Sequence, residues 1–342
     1  MRPVTGYAAF EPRGQLRPFE FQRRDLRPDD VAVRVTHVGV CHTDLHAVEG
    51  LSTGAPPLVP GHEFTGVVSA VGPEVTALRV GDRVAVGNIV DSCGECGPCL
   101  AHRESYCVEF PQLTYGGVDR HDGTPTQGAY STEYVARDAF VHALPDGLDA
   151  AAAAPLMCAG ITTWSPIRRA GVGPGQTVGM VGAGGLGHLA VKFAKALGAE
   201  VVVFTTSPDK VDDARRLGAD DVVLLRDGEA MAARAVSLDV VVDTASAAHD
   251  LSPLLRTLRL DGRLVLLGLP ERLDVETMAL LGRELTVSGS GGTDETREML
   301  AFCAEHGITA DVEVLPIAEV DTAFRRLAAG DVRWRFVLDV SA

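Results

Sequence analysis

Apolar and polar positions along this chain change rhythm near its middle. In the first 150 residues the apolar positions tend to alternate. The run VAVRVTHVGV at 31–40 alternates as a strand with one buried face does, and 64–71 and 83–86 read the same way. Turn-forming residues separate these runs at 54–57, 72–73 and 81–82. The pattern predicts an irregular, mostly β domain over residues 1–150.

Beyond about residue 148, short wholly apolar runs alternate with helical patterns. TVGMV at 177–181 predicts a buried strand that runs into GAGGLG at 182–187. The next segment places Leu186, Leu189, Ala190, Phe193, Ala194 and Leu197 on one helical face, and Gly198 suits the C′ position that ends it. Further strands are predicted at 201–204, 221–225, 238–243, 263–268 and 285–288, with a helix at 209–217. Such alternation builds a doubly wound parallel sheet, here over residues 151–292. Residues 293–342 hold helical patterns at 295–306 and 317–329 and a strand at 334–340, and are expected to return to the first domain. The fold class is α/β.

The glycine run gains meaning from its place between a strand and a helix and before a second strand. There Gly182, Gly184, Gly185, Leu186 and Gly187 allow a tight turn and close backbone approach to a pyrophosphate, and the helix N-terminus supplies free N–H groups. A site for NAD usually ends its second strand with an acid that binds the ribose 2′-hydroxyl. Here that place holds Thr205, Thr206 and Ser207, followed by Lys210. Hydroxyls and an ammonium suit a 2′-phosphate, so NADP(H) is expected, although Lys210 also reads as a solvated first-turn residue.

Length and charge narrow the rest. A chain of 342 residues is long enough for two domains, and a net charge of −15 repels a phosphate backbone, so nucleic acid is not an expected partner. The longest uncharged stretches, 150–167 and 171–190, are broken by Pro155, Gly160 and Pro166 or are glycine-rich, and neither reads as a membrane span. The first residues, MRPVTGYAAFEPRG, show no signal-peptide core. With thiol-rich metal spacing, this leads to the expectation of a reducing cytoplasm.

Four of the seven cysteines, Cys93, Cys96, Cys99 and Cys107, follow the spacing C-x2-C-x2-C-x7-C. That loop can wrap four thiolates around a tetrahedral ion, zinc more commonly than an iron–sulfur centre. Disulfides or buried cysteines are the bland alternatives. Such a closed site has no open position and braces a loop. Three other residues have suggestive settings: Cys41 at a strand end in CHTDLH, His62 in PGHE, and Cys158 in PLMCAG. Two thiolates and an imidazole can hold zinc with a fourth position open. By spacing alone, each is more often a core residue than a ligand.

CHTDLH, PGHEF, the four-cysteine loop, PLMCAGITT and GAGGLG occur in order. With FTTSPDK, EMLAFCAEHGI and DVRWRFVLDV they resemble, over nearly the whole chain, the zinc-dependent medium-chain alcohol dehydrogenases, and within them the cinnamyl-alcohol-dehydrogenase-like branch with its broad-specificity bacterial NADPH-dependent aldehyde reductases. The resemblance implies a GroES-like catalytic domain and a Rossmann cofactor domain. It implies two zinc ions per chain, a catalytic one at Cys41, His62 and Cys158 and a structural one at Cys93, Cys96, Cys99 and Cys107. Glu63 would enter as a fourth ligand or act from beside the metal. Asp44 would hydrogen-bond His62. Thr43 would pass a proton through the nicotinamide ribose hydroxyl to His46 and solvent. His42, in place of the arginine common in other branches, and Arg335 would contact cofactor phosphates, the histidine more weakly. Thr162 would border the nicotinamide.

The implied reaction is hydride transfer between NADP(H) and a primary alcohol/aldehyde pair, mainly as aldehyde reduction, by a homodimer pairing through the cofactor domain. Loops 51–57 and 115–127 are the expected pocket linings. Ile89 and Trp164 are either pocket walls or plain core. The rivals are a quinone-reductase-like or crystallin-like protein of this architecture and a regulatory NADPH-binding module. Retention of every ligand position argues against the first, and Thr43 and His46 beside the ligands argue against the second.

Overall fold

β-Branched residues fill the run after Pro28, and in a computed structural model, which describes residues 1–50 and 56–342, they form the strand Asp30–Val40. It is the hub of an antiparallel sheet: Phe64–Val71, Glu133–Arg137 and Arg335–Asp339 all pair with it. Arg83–Val86 and Val141–Ala143 extend the sheet beyond Phe64–Val71, and Val312–Pro316 lies parallel to Arg335–Asp339 at the other edge. Val31, Val33, Val35, Val38 and Val40 are buried in one apolar core with Phe64, Tyr134, Phe324 and Phe336.

The chain divides into two units, Met1–Cys158 with Gly291–Ala342, and Ala159–Ser290. The second contains six parallel strands: β1 Thr177–Val181, β2 Glu200–Thr205, β3 Asp221–Leu224, β4 Leu238–Asp243, β5 Leu258–Leu266 and β6 Glu284–Val287. Their order is β3-β2-β1-β4-β5-β6, so the winding reverses between β1 and β4. The apolar residues of β1, β2 and β4 are buried on both faces, as a sheet covered on both sides requires.

Most apolar runs become the expected elements, and the departures have local causes. The helix after the glycine run spans Gly187–Ala196, and Gly198 takes the left-handed conformation beyond it with φ 87°. The expected helix 209–217 begins as a 3-10 turn at Pro208–Lys210 and becomes α-helical over Val211–Arg216. β5 starts at Leu258, five residues earlier than its apolar run, because the buried Leu258 already pairs with Leu238 ahead of an irregularity in the register. The hairpin of Arg2–Ala8 with Arg17–Arg23 and the strand Val312–Pro316 carry too weak an alternation to be read from sequence. Of loop 51–57, residues 51–55 lie outside the described residues. Trp164 is core: wholly buried, its ring stands edge-on to Phe193 at 5.2 Å. Among the described residues, no helix is long and apolar enough to cross a membrane.

Gly179 in mid-β1 shows how tightly the cofactor sheet packs. A Cβ there would lie 2.8 Å from Phe204 and 2.9 Å from Leu238. Gly179→Val is expected to destabilise the protein by about 1–3 kcal/mol, read as a lower urea midpoint with an unchanged slope.

A candidate zinc centre and a dinucleotide turn

The antiparallel register brings distant residues to one end of the first sheet. Val38 pairs with Phe64 and Val40 with Phe336. Cys41, His62, Glu63 and Arg335 therefore leave neighbouring strands at the same end. The next residues form the helix His42–Val48, and Asp44 in its first turn closes the arrangement. Its buried carboxylate accepts from the Cys41 N–H at 3.0 Å, the Gly61 N–H at 3.0 Å and His62 Nδ1 at 2.9 Å. A proton on Nδ1 leaves Nε2 with its lone pair free for a metal.

Cys158 completes the set. Its Sγ is 3.2 Å from His62 Nε2 and 4.0 Å from Cys41 Sγ, and all three ligand atoms lie within 4.8 Å of one another. A tetrahedral zinc with ordinary Zn–S and Zn–N bonds has edges of about 3.4–3.8 Å, so the donor set fits the ion. On the protein groups alone, the hydrogen bond with Cys158, aided by Arg335 and His62, holds the Cys41 thiol well below its usual range. The same bond and burial push Cys158 well above it. Burial opposes charge on His62, yet Asp44 and Cys41 raise it well above an ordinary imidazole. These groups share protons that a divalent cation would displace.

Glu63 and Arg335 form a second buried pair. Burial pushes Glu63 up to about 7 against the pull of Arg335, whose guanidinium bonds its Oε1. Glu63 Oε2 and Arg335 Nε have no hydrogen-bond partner among the described residues. Gly39 must lack a side chain, since a Cβ there would overlap the Glu63 carboxylate. Thr43 and His46 are exposed on the helix that follows Cys41; Thr43 Oγ1 is 3.7 Å from Cys41 Sγ, and the rings of His42 and His46 are 6.2 Å apart. Tyr115, which sequence reading placed only within a variable loop, is buried with its ring 6.0 Å from that of His62. Ile89 is half-buried.

The four-cysteine loop gathers Cys93, Cys96, Cys99 and Cys107 so that their sulfurs also lie within 4.8 Å of one another. All seven cysteines are free thiols. Backbone N–H groups of Val108 and Cys99 lower Cys96 to about 6, whereas burial raises Cys99 to about 12. The lobe is anchored by Glu104, which accepts from the Thr293 N–H and hydroxyl, both at 2.9 Å.

In the second unit, Gly182 follows β1 with φ 86°, a conformation that favours glycine. A Cβ on Gly187 would overlap the Gly182 carbonyl, so that glycine lets the helix start close against the turn. Gly184, Gly185 and Leu186 are half-buried between them, and Thr162 is half-buried on the helix Ala159–Arg169. At the end of β2, Thr205 is buried and its hydroxyl accepts from the Ser207 N–H at 3.1 Å, while Thr206 and Lys210 are exposed. Arg226, not foreseen from sequence, reaches from beyond β3 to donate to the Thr206 carbonyl at 2.7 Å. Its only signal was a basic residue soon after a strand.

A mostly β unit carrying an open three-ligand zinc site and a closed four-thiolate site, joined to a dinucleotide-type parallel sheet, defines a zinc-dependent NAD(P)-linked dehydrogenase. Residues 27–146 match the alcohol dehydrogenase GroES-like domain and 185–305 the zinc-binding dehydrogenase family. The chain belongs to the zinc-dependent medium-chain alcohol dehydrogenases, in their cinnamyl-alcohol-dehydrogenase-like branch. It is 48% identical to a probable mannitol dehydrogenase of Fragaria ananassa, over 99% of this chain and 96% of that protein. It is 46% identical to NADP-dependent alcohol dehydrogenase C 1 of Mycolicibacterium smegmatis, over 100% of this chain and 99% of the relative. The solved cinnamyl alcohol dehydrogenase of Sorghum bicolor superposes with a TM-score of 0.96 at 43% identity, covering 100% of this chain and 98% of that one.

The two zinc sites separate on mutation. Cys96→Ser is expected to remove one of two zinc equivalents and lower the melting temperature, whereas Cys41→Ser should leave a folded protein without turnover. Asp44→Asn should weaken the Cys41 site about 10–100-fold toward zinc, read by competition with a chromogenic chelator.

Proposed function

We propose that this enzyme acts chiefly as an NADP(H)-dependent aldehyde reductase on primary alcohol/aldehyde pairs. The observation that carries the cofactor choice is the end of β2, where Thr205, Thr206 and Ser207 stand in place of an acid and the exposed Lys210 and Arg226 lie nearby. A 2′-phosphate meets hydroxyls and cations there rather than a carboxylate. NADP(H) dependence in cells favours reduction.

Zinc supplies Lewis acidity toward the carbonyl oxygen, and NADP(H) carries the hydride. The chain's own residues hold and supply protons. Cys41, His62 and Cys158 hold the ion, with Asp44 fixing the imidazole tautomer. Glu63, paired with Arg335 and outside the group of Cys41, His62 and Cys158 ligand atoms, would have to turn toward the ion to act as an alternative ligand. Thr43 would give a proton to the product oxygen, and His46, which is open to solvent, would supply its replacement. His42 and Arg335 would contact cofactor phosphates; Arg335 Nε has no hydrogen-bond partner among the described residues. Gly182, Gly184, Gly185, Leu186 and Gly187 would cradle the pyrophosphate, and Thr162 would border the nicotinamide. A homodimer would form through β6, an edge strand that ends in the exposed Val287 and follows the exposed Met278 and Leu281.

The test is a kinetic survey of aldehydes with NADPH and NADH, and of the matching alcohols with NADP⁺. A higher kcat/KM with NADPH and faster reduction than oxidation at neutral pH are expected, with loss on chelation. A higher value with NADH overturns the cofactor assignment, and faster oxidation overturns the direction. Lys210→Ala combined with Arg226→Ala should lower the NADPH-to-NADH ratio about tenfold or more. His46→Gln should alter the pH–rate profile, and an unchanged profile removes His46 from the relay.

A further inference from the structure

The cofactor unit contains a buried carboxylate that none of the roles above uses. Asp243 is the last residue of β4, fully buried, and pairs in register with Val181 at the end of β1. Those two strands flank the point where the sheet order reverses, and ligands of such sheets bind outside the carboxyl ends of the strands there. The glycine turn begins one residue after Val181. Asp243 thus stands one strand spacing, about 4.8 Å, from the strand that leads into the pyrophosphate cradle.

The following loop is tied to the same place. The Ala245 N–H donates to Asp243 Oδ1 at 2.9 Å, and the Thr244 hydroxyl donates to the Val181 carbonyl at 2.7 Å. His249 folds back over the loop. Its Nδ1 is 2.9 Å from the Ala247 carbonyl, which can only accept, so Nδ1 carries a proton. Its Nε2 lies 2.9 Å from Asp243 Oδ2, an ion-pair distance, although off the alignment of a directed hydrogen bond. An imidazolium at that distance offsets the carboxylate, so that the couple carries no net charge.

We propose that His249 masks the charge of Asp243 at the reversal point of the sheet, so that the cofactor's anionic pyrophosphate can bind beside a buried carboxylate. The inference rests on the dinucleotide reading of the glycine turn. Asp243 in turn holds the loop 244–249 against β1, and His249 acts through it as a positioning residue, without a part in the chemistry. Burial already pushes the Asp243 carboxyl up, against the backbone bond from Ala245 and the nearby His249, so the charged form is costly there. Without His249, either that negative charge stays near the pyrophosphate or the carboxyl must take up a proton of its own.

The test is NADPH binding to the full-length zinc-loaded enzyme, followed by nucleotide fluorescence. His249→Gln is expected to weaken NADPH about tenfold. Adding Asp243→Asn should restore affinity to within about threefold of wild type, because the asparagine keeps the acceptor for Ala245 without the charge. His249→Lys should also bind nearly as well as wild type. kcat with saturating cofactor should move less than twofold in all three. Wild-type affinity in His249→Gln overturns the proposal, and so does a double variant or a lysine variant that binds as weakly as His249→Gln. If His249→Gln does not fold, weak binding by the double variant or by His249→Lys still overturns the proposal. A wild-type protein that does not bind NADPH overturns the cofactor reading itself.

Discussion

Asp44 is the constraint on which the catalytic centre depends. A buried carboxylate is tolerated only if its lone pairs are filled. Here they are filled by the backbone after the central strand, the backbone of the turn before the next strand, and the imidazole of His62. One side chain thereby locks the segments carrying Cys41 and His62 at a fixed separation and selects the tautomer that presents Nε2. Loss of any one donor would leave the others holding a less compensated charge.

Neutrality explains the surrounding residues. Two thiolates balance one divalent cation, and the Glu63 carboxylate is balanced by Arg335. The first balance leaves the ion a Lewis acid of modest net charge, suited to binding and releasing a neutral carbonyl or alcohol. The second keeps a carboxylate buried next to the ligands without forcing it to protonate permanently. The same rule recurs in the cofactor unit, where Asp243 is buried against His249. In each case a charge is retained inside the protein because a specific partner offsets it.

The two metal sites show different relations between sequence and structure. The four-thiolate lobe is local: its ligands span 15 residues, and backbone N–H groups near them already favour thiolate. It braces a loop whose Glu104 caps the start of the helix Thr293–His306. The three-ligand site has no such local logic and exists only because an antiparallel sheet has one register.

What the sequence determined by itself follows from short-range physics. Period-two runs specified the central strands of the first sheet and apolar runs those of the parallel sheet, the glycine run specified the dinucleotide turn, and the absence of an acid after β2 indicated which nucleotide suits it. The cysteine spacing specified a closed metal lobe. These signals act within a few residues, through pleat geometry, backbone sterics and chelate reach. The tertiary structure alone decided the rest. Cys41 meets Cys158 across 117 positions and Arg335 meets Glu63 across 272, with no pattern in either separation. Only the fold showed that Trp164 is core, that Tyr115 packs on His62, and that Asp243 lies beside the glycine turn. Those relations are set by strand register and by the pairing of buried charges, and neither leaves a periodic trace along the chain.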